Sequence, residues 1–359
     1  MAIYELPNSI IDDDVKIIVS ESIDWLYLKG KTILITGASG FIPSYVVYTL
    51  LKLNETFCSD EPIYIIALVR NKVKAETKFS SFLKNKYFHL IIDDVASTDI
   101  VKNIAMKIDI IIHAASQASP KYYGIDPVGT LKANSIGTIN MLDLAKNNGS
   151  EKFLFISSGE VYGTLDNKLS KIREDYTGNV DITNVRSCYA ESKRIGETMC
   201  VCWSHQYNLH VNMLRLSHTY GPGIELNDGR VFADFVKNIV QNEDIILTSD
   251  GKSKRGFVYI TDMILALFRV LFYGENKQAY NVAADSEVTI LELAKILCGL
   301  YPDRNIAVKF KNVVSPNYIR SSSTNVSLCT DKIKKLGWRQ KIQIEKGFKR
   351  MIESYRDVS

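Results

Sequence analysis

The sequence is poor in the residues that build metal sites. It contains five histidines and six cysteines in 359 residues, and no two cysteines have the CxxC spacing. Structural zinc sites need four such ligands, usually in closely spaced pairs, so we predict no metal site. Isolated cysteines are typical of reduced thiols in an intracellular protein.

Long apolar runs are also missing. No stretch approaches the ~18 uninterrupted apolar residues of a membrane-spanning helix. The first residues, MAIYELPNSIIDDDVKII, do not place a basic segment before an apolar one, as a secretory signal does. We therefore expect a cytoplasmic protein without a membrane partner.

The chain has no dense basic block, because its lysines and arginines are spread along its length and the net charge is only +4. Nucleic acid is therefore not expected as a partner. Its 46% hydrophobic and 23% charged residues are typical of a globular protein. A chain of 359 residues exceeds the size of a single growing core, which predicts two lobes with a cleft between them.

Continuous apolar runs alternate with stretches of helical length. The runs are KTILIT (31–36), IYIIALV (63–69), HLIIDDV (89–95), IDIIIHAA (108–115), KFLFISS (152–158) and VNMLRLS (211–217). This pattern predicts an α/β Rossmann fold, a doubly wound parallel sheet covered by helices on both faces. We expect a helical extension over residues 1–29, with an amphipathic helix over 9–29 capped near Asp12–Asp14. The Rossmann domain would span 30–217, and a smaller α/β substrate lobe would span most of 218–359, interleaved with the first.

A glycine turn follows the first run and opens a helix. Its residues are Gly37, Ala38, Ser39, Gly40, Phe41 and Ile42, and the strand–turn–helix context indicates a dinucleotide site. Glycines let the backbone approach the pyrophosphate, whose charge the helix N-terminus stabilises. The third glycine of the usual pattern is Pro43, which the first helical turn tolerates because its missing N–H has no partner there.

The next strand ends in Arg70, where an acidic residue usually binds the ribose of NAD. We expect NAD as the cofactor, but Arg70 leaves NADP open, since an arginine can pair with a 2′-phosphate; an ordinary exposed arginine is the alternative. Further cofactor contacts are expected from residues after the third and fourth strands: Asp94, Val95, Ala114, Ala115 and Ser116. His113 is more typical of packing at a strand end.

Tyr189 and Lys193 form a YxxxK pair, whose spacing puts both side chains on one face of a helix. A neighbouring ammonium favours the phenolate, so Tyr189 is a candidate base for a substrate hydroxyl. Upstream, Ser157 and Ser158 end a strand, where a hydroxyl can share the same proton network. Glycine turn, strand-end serine and YxxxK in this order are a specific combination.

With these motifs, the chain from about 31 to 338 resembles the extended short-chain dehydrogenase/reductase family, also called the NAD-dependent epimerase/dehydratase family. Among its members it is most similar to UDP-glucuronate decarboxylases, which make UDP-xylose. The matching stretches are HAASQASPKYY (113–123), LKANSIGTINMLDLAK (131–146), SSGEVYG (157–163), SCYAESKRIGETMC (187–200), NDGRVFADFV (227–236) and GKSKRGFVYITD (251–262).

The resemblance implies that the enzyme oxidises C4 of a nucleoside-diphosphate hexose or hexuronate, acts at C5 and returns the hydride from the same cofactor. It implies Tyr189 as base, Lys193 as its activator and ribose anchor, Ser158 as assisting hydroxyl and Glu160 as the C5 carboxylate. The candidate substrate-binding residues are Ser119, Tyr122, Glu160, His218, Arg230, Arg255 and Arg320. For Arg230 and Arg255 the alternative to substrate binding is a salt bridge, and for Tyr122 the alternative is simple packing. Asn134, beside the core, is expected to bond backbone near the site.

Three departures from the family pattern bear on the substrate. Gly159 stands where decarboxylases have a hydroxyl residue and dehydratases an acidic one. His218 replaces a usual asparagine beside the diphosphate, and Gly223 replaces a common arginine. UDP-glucuronate decarboxylation is the leading hypothesis, with 4,6-dehydration or epimerisation as alternatives.

A hypothesis of another class is a non-catalytic dinucleotide-sensing scaffold, which predicts a degraded Tyr/Lys pair. The resemblance also implies a homodimer formed through a four-helix bundle, with helices like 131–147 and 188–206 from each partner.

Overall fold

The computed structural model describes residues 6–104, 106–164, 171–311 and 327–356. Its central sheet has seven parallel strands. They are β1 (Thr32–Thr36), β2 (Tyr64–Val69), β3 (Phe88–Ile92), β4 (Ile110–His113), β5 (Lys152–Ser158), β7 (Val211–Leu216) and β12 (Gln278–Val282).

The remaining described strands are short and form pairs: β6 (Lys171–Ile172) with β15 (Ser327–Leu328), β8 (His218–Tyr220) with β11 (Phe257–Tyr259), β9 (Ile245–Leu247) with β14 (Val308–Phe310), and β10 (Lys254–Arg255) with β13 (Val288–Thr289). Most of these pairs lie in the second lobe.

The described helices begin and end as follows: α1 (Ser9–Val19), α2 (Phe41–Glu55), α3 (Lys72–Lys78), α4 (Ile100–Asn103), α5 (Lys121–Ile125), α6 (Pro127–Asn134), α7 (Ile136–Asn148), α8 (Ser187–Tyr207), α9 (Val231–Gln241), α10 (Ile260–Tyr273), α11 (Ile290–Gly299), α12 (Asp331–Lys335) and α13 (Ile344–Glu353). Among the residues described, no helix combines the length and apolar character needed to cross a bilayer.

The sheet confirms the predicted Rossmann fold. Its strand order is β3-β2-β1-β4-β5-β7-β12, so the chain reverses direction across the sheet between β1 and β4. Apolar side chains on both faces of these strands are fully buried, including Ile33 and Leu34 on β1. The carboxyl ends at this reversal are where open α/β sheets bind ligands.

The N-terminal extension is part of the core. The predicted helix over 9–29 is shorter, because α1 ends at Val19 and a separate 3-10 turn covers Trp25–Leu28. Asn8 caps α1 by accepting a hydrogen bond from the Ile11 N–H, so the expected cap near Asp12–Asp14 is wrong. Val15 and Ile18 on the inner face of α1 are completely buried.

Asp14 is fully buried and ties three parts of the chain together. It pairs with Arg350 of α13 at 2.7 Å. It also accepts hydrogen bonds from Tyr45 of α2 at 3.2 Å and from Tyr259 of β11 at 2.8 Å. Burial raises the pKa of the Asp14 carboxyl, against the opposing effects of Arg350 and the two phenols. The Asp14 contacts thereby fix α1 and α13 to α2, the helix that starts at the glycine turn.

The seventh strand of the sheet, β12, comes from the later part of the chain that was assigned mainly to the substrate lobe. It pairs with β7 in parallel from Gln278 to Val282. The later part of the chain therefore contributes directly to the main sheet of the Rossmann core.

Candidate active site

The cleft opens at the carboxyl ends of the central strands. It encloses a cavity of about 400 Å³, lined by residues from the early and the later parts of the chain. Many predicted residues line it: Gly37, Gly40, Phe41, Ile42, Ala114, Ser116, Ser158, Glu160, Tyr189, Lys193, His218, Arg230 and Arg255. Residues separated by more than two hundred positions in the sequence thus share one site.

The glycine turn leaves room for a close backbone approach. Gly37 has φ +64°, and a Cβ built there would lie 2.8 Å from the Ala115 Cα. Gly40 caps α2, and a Cβ there would meet Pro43 of the first helical turn at 3.2 Å. The proline is accommodated as predicted. Gly37 requires glycine, whereas a Cβ at Gly40 would be tight, at 3.0 Å from the Gly37 carbonyl oxygen.

Thr36 joins the turn to the end of β4. Its Oγ1 accepts hydrogen bonds from the N–H groups of Ala114 and Ala115, both at 3.0 Å. The same hydroxyl contacts His113 Nδ1 at 2.8 Å, and Thr138 contacts the other ring nitrogen at 3.2 Å. Burial lowers the pKa of His113 to about 3. The packing interpretation of His113 agrees with these contacts.

Three buried hydroxyls in the cavity lining fit a dinucleotide. The side-chain oxygens of Ser116, Ser217 and Thr219 find no hydrogen-bond partner within the described residues. Buried polar atoms are normally paired, so these oxygens are suited to bond a ligand. Together with the glycine turn at the start of α2, they fit the polar outline of NAD or of a nucleotide sugar.

The residues predicted to bind the adenosine end of the cofactor lie at the edge of the cleft, outside the cavity lining. Arg70 Nη1 and Asp94 Oδ2 are 3.6 Å apart, and both side chains are largely exposed. Val95 is buried against Gly137, where a Cβ would meet the valine at 2.7 Å. Ser39 lies buried within the glycine turn. Asp94 thus places a negative charge beside Arg70, the residue whose charge left NADP open as a cofactor.

Tyr189, Lys193 and Ser158 form the cleft floor. Tyr189 lies in α8 and is hydrogen-bonded to the Ser158 side chain at the end of β5. Burial raises the pKa of Tyr189 to about 12, and the Ser158 bond opposes that rise. Ser158 Oγ also accepts from the Glu160 N–H at 3.1 Å. Ser157, one residue earlier, points to the opposite face and donates to Glu197 at 2.6 Å.

Lys193 lies below the tyrosine ring, with its amine 5.8 Å from the ring centroid. The amine donates to the Ile156 carbonyl at 2.7 Å. Burial lowers the pKa of Lys193 to about 7, while Glu197 acts in the opposite direction. The expected activation of Tyr189 by the lysine charge stays a prediction; burial raises the phenol pKa and disfavours the ammonium form of Lys193.

Glu160 is held at the rim of the floor by an arginine that the sequence reading missed. Arg186 Nη2 donates to both carboxylate oxygens, at 3.2 and 3.1 Å. Its guanidinium lies over the Tyr123 ring, 5.5 Å from the centroid. Tyr123 in turn stacks on Tyr189, with centroids 5.0 Å apart and planes at 18°. The position of Arg186, three residues before Tyr189 in sequence, was the available signal.

Another part of the cavity lining, formed by His218, Arg230 and Arg255, is called the cationic wall. His218 opens β8 and contacts Phe257 edge-on, with centroids 5.9 Å apart. Desolvation first, and then Arg255 and Arg230, lower the pKa of His218. Arg230 pairs with Asp228 at 3.0 Å, so the salt-bridge alternative for this residue is observed, but within one loop.

Glu287 is an acidic residue of the cavity beside this wall. Burial raises its pKa, against the effects of Lys254 and Arg255. Lys254 also lines the cavity. The cationic side chains here outnumber Glu287, which suits an anionic ligand.

The other predicted site residues lie elsewhere. Ser119 is buried and donates to the Asp228 carbonyl, so it holds the loop before α9 rather than facing the cavity. Tyr122 is 36% exposed outside the lining, whereas its neighbour Tyr123 is inside it. Asn134 donates to the Ser192 side chain at 3.0 Å, so the expected backbone bond is wrong. Arg320 lies outside the described residues.

Leu328 accounts for the space at Gly159. A Cβ at Gly159 would lie 3.2 Å from the Leu328 Cδ1 and 3.5 Å from the Leu216 carbonyl oxygen. Leu328 also lines the cavity. An apolar side chain therefore lies where relatives are expected to have a polar one. No local sequence pattern predicts this contact, since the two residues are far apart in the chain.

Comparison with known proteins agrees with this geometry. The model of the NAD dependent epimerase/dehydratase family matches residues 33–283. UDP-glucuronic acid decarboxylase 2 of Arabidopsis thaliana is 33% identical over 329 residues, covering 91% of this chain and 69% of that protein. UDP-glucuronic acid decarboxylase 6 of the same plant is 33% identical over 332 residues, covering 92% of this chain and 90% of that protein.

Solved structures show the same fold. A UDP-glucose 4-epimerase from Thermotoga maritima, solved with UDP-glucose, matches with a TM-score of 0.78 and 23% identity, covering 91% of this chain and 99% of that one. UDP-glucuronic acid 4-epimerase from Bacillus cereus, in complex with UDP-glucuronic acid and NAD, matches with a TM-score of 0.76 and 21% identity, covering 91% and 100%. Sequence, fold and relatives agree that the chain is an enzyme of the NAD dependent epimerase/dehydratase family.

Proposed function

We propose that this enzyme is a UDP-glucuronate decarboxylase that works through C4 oxidation of the sugar. The observation that carries the proposal is the cleft floor with Glu160 at its rim. A phenol, a hydroxyl and a carboxylate come from three neighbouring elements, which suits proton transfer at two adjacent carbons. The relatives at 33% identity are named for this reaction.

Tyr189 would take the proton from the C4 hydroxyl, with Ser158 sharing it through their hydrogen bond. Lys193 would anchor the ribose and supply protons to the floor, since its pKa of about 7 lets it exchange a proton near neutrality. When bound, NAD supplies the acceptor for the C4 hydride and a positive charge that favours the phenolate. The residues of the glycine turn and the unpaired hydroxyls of Ser116 and Ser217 would hold it.

Glu160 would act at C5. A C4 ketone makes the C6 carboxylate a β-keto acid, so the C5–C6 bond breaks, CO2 leaves and the electron pair is delocalised onto O4. A proton drawn from water through Glu160 then forms the new C5–H bond. Return of the hydride to C4 and of the proton from Tyr189 leaves no net redox change.

The cationic wall would bind the diphosphate. Arg255 and Arg230 carry permanent charge and both act on His218, and guanidinium groups suit phosphate oxygens. Arg230 would exchange its contact with Asp228 for a phosphate. Arg320 remains a candidate for the same anions by resemblance.

The test is incubation of the purified protein with UDP-glucuronate, UDP-glucose, dTDP-glucose, GDP-mannose and CDP-glucose, followed by mass spectrometry and NMR of the products. We expect UDP-glucuronate to lose CO2 and give a UDP-pentose. Dehydration of a hexose, or inversion of a ring carbon, would instead support the alternatives that Gly159 and Leu328 keep open. Absence of turnover on every sugar would refute the proposal.

The scaffold hypothesis makes a separate prediction. If the protein only senses a dinucleotide, a Tyr189→Phe variant keeps the full effect of the wild type. The intact pair of Tyr189 and Lys193 on the floor favours catalysis.

For the cofactor, the Asp94 carboxylate beside Arg70 would repel a 2′-phosphate, which favours NAD over NADP. Denaturing the purified protein and identifying the released dinucleotide by mass tests this. Release of NADP would contradict it.

We also propose a cytoplasmic homodimer. Leu131, Ile136, Ile195 and Val201 are each 39 to 44% exposed on α6, α7 and α8, which supports the four-helix bundle expected from the resemblance. All six cysteines are free thiols, as in a reducing compartment. A monomeric mass by light scattering, unchanged by Ile195→Glu, would refute the dimer, and cell fractionation tests the location.

A further inference from the structure

Arg186 connects Tyr189 on the cleft floor with Glu160 at its rim. In the proposed reaction these two groups act on different sugar carbons. It is the N-cap residue of α8, the helix that carries Tyr189 and Lys193. Its side chain is 13% exposed, whereas the Glu160 side chain that it binds is 42% exposed. Long arginine side chains are rarely covered to this extent without a specific partner. The partner here is a carboxylate at the mouth of the cavity.

Glu160 needs such a contact because its own element does not fix it. It lies in a one-turn 3-10 helix, Gly159–Tyr162, and the preceding residue has no side chain to pack beside it. Its backbone N–H is held by Ser158, but this leaves the carboxylate free to rotate. Among the described residues, Arg186 is the side chain that donates hydrogen bonds to both of its oxygens.

The arginine is itself immobilised by an aromatic stack of Arg186, Tyr123 and Tyr189. The guanidinium lies over one ring and that ring is nearly parallel to the next, at 18°. Tyr123 is 3% exposed and donates its hydroxyl to the Ala118 carbonyl at 3.1 Å, so it cannot slide easily. The Glu160 carboxylate thereby has a fixed position relative to the Tyr189 phenol.

We propose that Arg186 is a positioning residue for the C5 step: it holds the Glu160 carboxylate against the sugar while contributing nothing to proton transfer at the C4 hydroxyl. This inference rests on the proposed two-step reaction. It predicts that loss of Arg186 separates the two steps, because Tyr189 keeps its ring partner Tyr123 and its bond to Ser158.

The experiment is a single-turnover reaction of the holoenzyme with UDP-glucuronate. Formation of reduced nicotinamide, followed by its near-ultraviolet absorbance, reports the C4 step. Release of CO2 and incorporation of solvent deuterium at C5 report the second step. The variants are Arg186→Gln, Arg186→Lys and Glu160→Gln, with Arg173→Gln, whose side chain is 70% exposed, as a control arginine.

For Arg186→Gln we expect reduced nicotinamide to appear at a rate close to the wild type and then to persist. Completion of the C5 step should slow by about 100-fold, the size expected from misplacing a reacting group by about 1 Å. The KM should change by less than about threefold. Arg186→Lys should recover about tenfold of the lost C5 rate. Glu160→Gln should also accumulate reduced nicotinamide, and Arg173→Gln should behave as wild type.

Two results would overturn the inference. One is a parallel fall of both rates in Arg186→Gln, which would show that Arg186 supports Tyr189 or the fold rather than the C5 step alone. The other is an unchanged second step. Should Arg186→Gln fail to fold, Glu160→Asp, which withdraws the carboxylate from Arg186 by one methylene, must give the same accumulation. A wild-type protein without turnover on UDP-glucuronate refutes the proposed function instead, so the two failures are distinguishable.

Discussion

The cleft floor and the cationic wall line one cavity, yet they are built differently. The floor comes from the end of β5 and the first turns of α8, two elements in direct contact. Its residues were predicted from a four-residue spacing and a strand end. The wall gathers His218 from β8, Arg230 from the loop before α9 and Arg255 from β10.

This difference indicates where the two regions can vary. Local helix geometry fixes the floor, so exchanging one side chain removes a function that no neighbour replaces. The wall consists of two arginines and a neutral imidazole on separate elements, so in the proposed complex their contributions to diphosphate binding would overlap. We therefore expect floor variants to lose turnover and wall variants to change affinity.

The largest effect is expected for Tyr189→Phe. Removing the phenol oxygen should lower kcat by about 10³-fold, within the range for a general base, while the stack on Tyr123 preserves the fold. The matched control is Tyr122→Phe, which removes the same oxygen outside the cavity and should leave kcat unchanged. Steady-state kinetics and thermal unfolding check both variants, and equal kcat values would contradict a special role for the floor.

Lys193→Met should also inactivate the enzyme, but make the folded protein more stable at low pH. The lysine pKa falls from 10.5 to about 7 on folding, so the cost of burying its proton is fully present below pH 7. It fades as the pH rises from 7 towards 10.5. We expect a gain of about 1–3 kcal/mol in unfolding free energy near pH 6, shrinking towards pH 9.

Denaturant titrations at several pH values measure this gain. A Lys193→Met protein that is less stable than the wild type near pH 6 would show that the bond to the Ile156 carbonyl outweighs desolvation.

For the wall, His218→Asn should leave the pH dependence of KM unchanged. Arg230, Lys254 and Arg255 line the cavity with His218, and Glu287 is an opposing charge. Desolvation is the largest cause that lowers the His218 pKa, to about 3, and a bound diphosphate would offset only the smaller effects of Arg255 and Arg230. The imidazole should therefore stay neutral in the free and the bound enzyme between pH 8 and 6.

The asparagine variant should show the wild-type KM profile over this interval, with kcat close to the wild type. A KM that falls towards pH 6 in the wild type but not in the variant would show that the bound diphosphate protonates the imidazole.

The smallest effect is expected for Gly159→Ser. The new Cβ would press on Leu328 at 3.2 Å, and a leucine methyl can move by a few tenths of an ångström. We expect less than about 1 kcal/mol of destabilisation and a change of less than about threefold in kcat. The informative measurement is the ratio of decarboxylated to other products, and Gly159→Ala separates the added hydroxyl from the added bulk.

Sequence reasoning located the strands well because buried parallel strands are continuous apolar runs. Each expected run overlaps a strand of the central sheet, with ends displaced by at most three residues. Sequence reasoning failed where tertiary packing decides which of two neighbouring residues enters the site. Tyr122 and Tyr123 are equivalent in the sequence, and only the orientation of α5 puts the second into the cavity. Asn134 found a side-chain partner because α6 packs against α8.

The N-terminal extension shows the same limit on a larger scale. Its amphipathic pattern predicted a helix but not its length. The core role of Asp14 depends on Arg350, 336 residues later. A buried carboxylate is stable only with partners, and the local pattern of Asp12–Asp14 gave no indication which of the three would have them.

By itself, the sequence determined the Rossmann sheet, the glycine turn and the Tyr189–Lys193 pair, since each depends on spacing within one strand, turn or helix. Tertiary structure alone decided the pairing of Arg186 with Glu160, the filling of the Gly159 space by Leu328 and the assembly of the cationic wall. Those contacts join residues whose separation along the chain carries no periodic signal, so packing of whole elements had to bring them together.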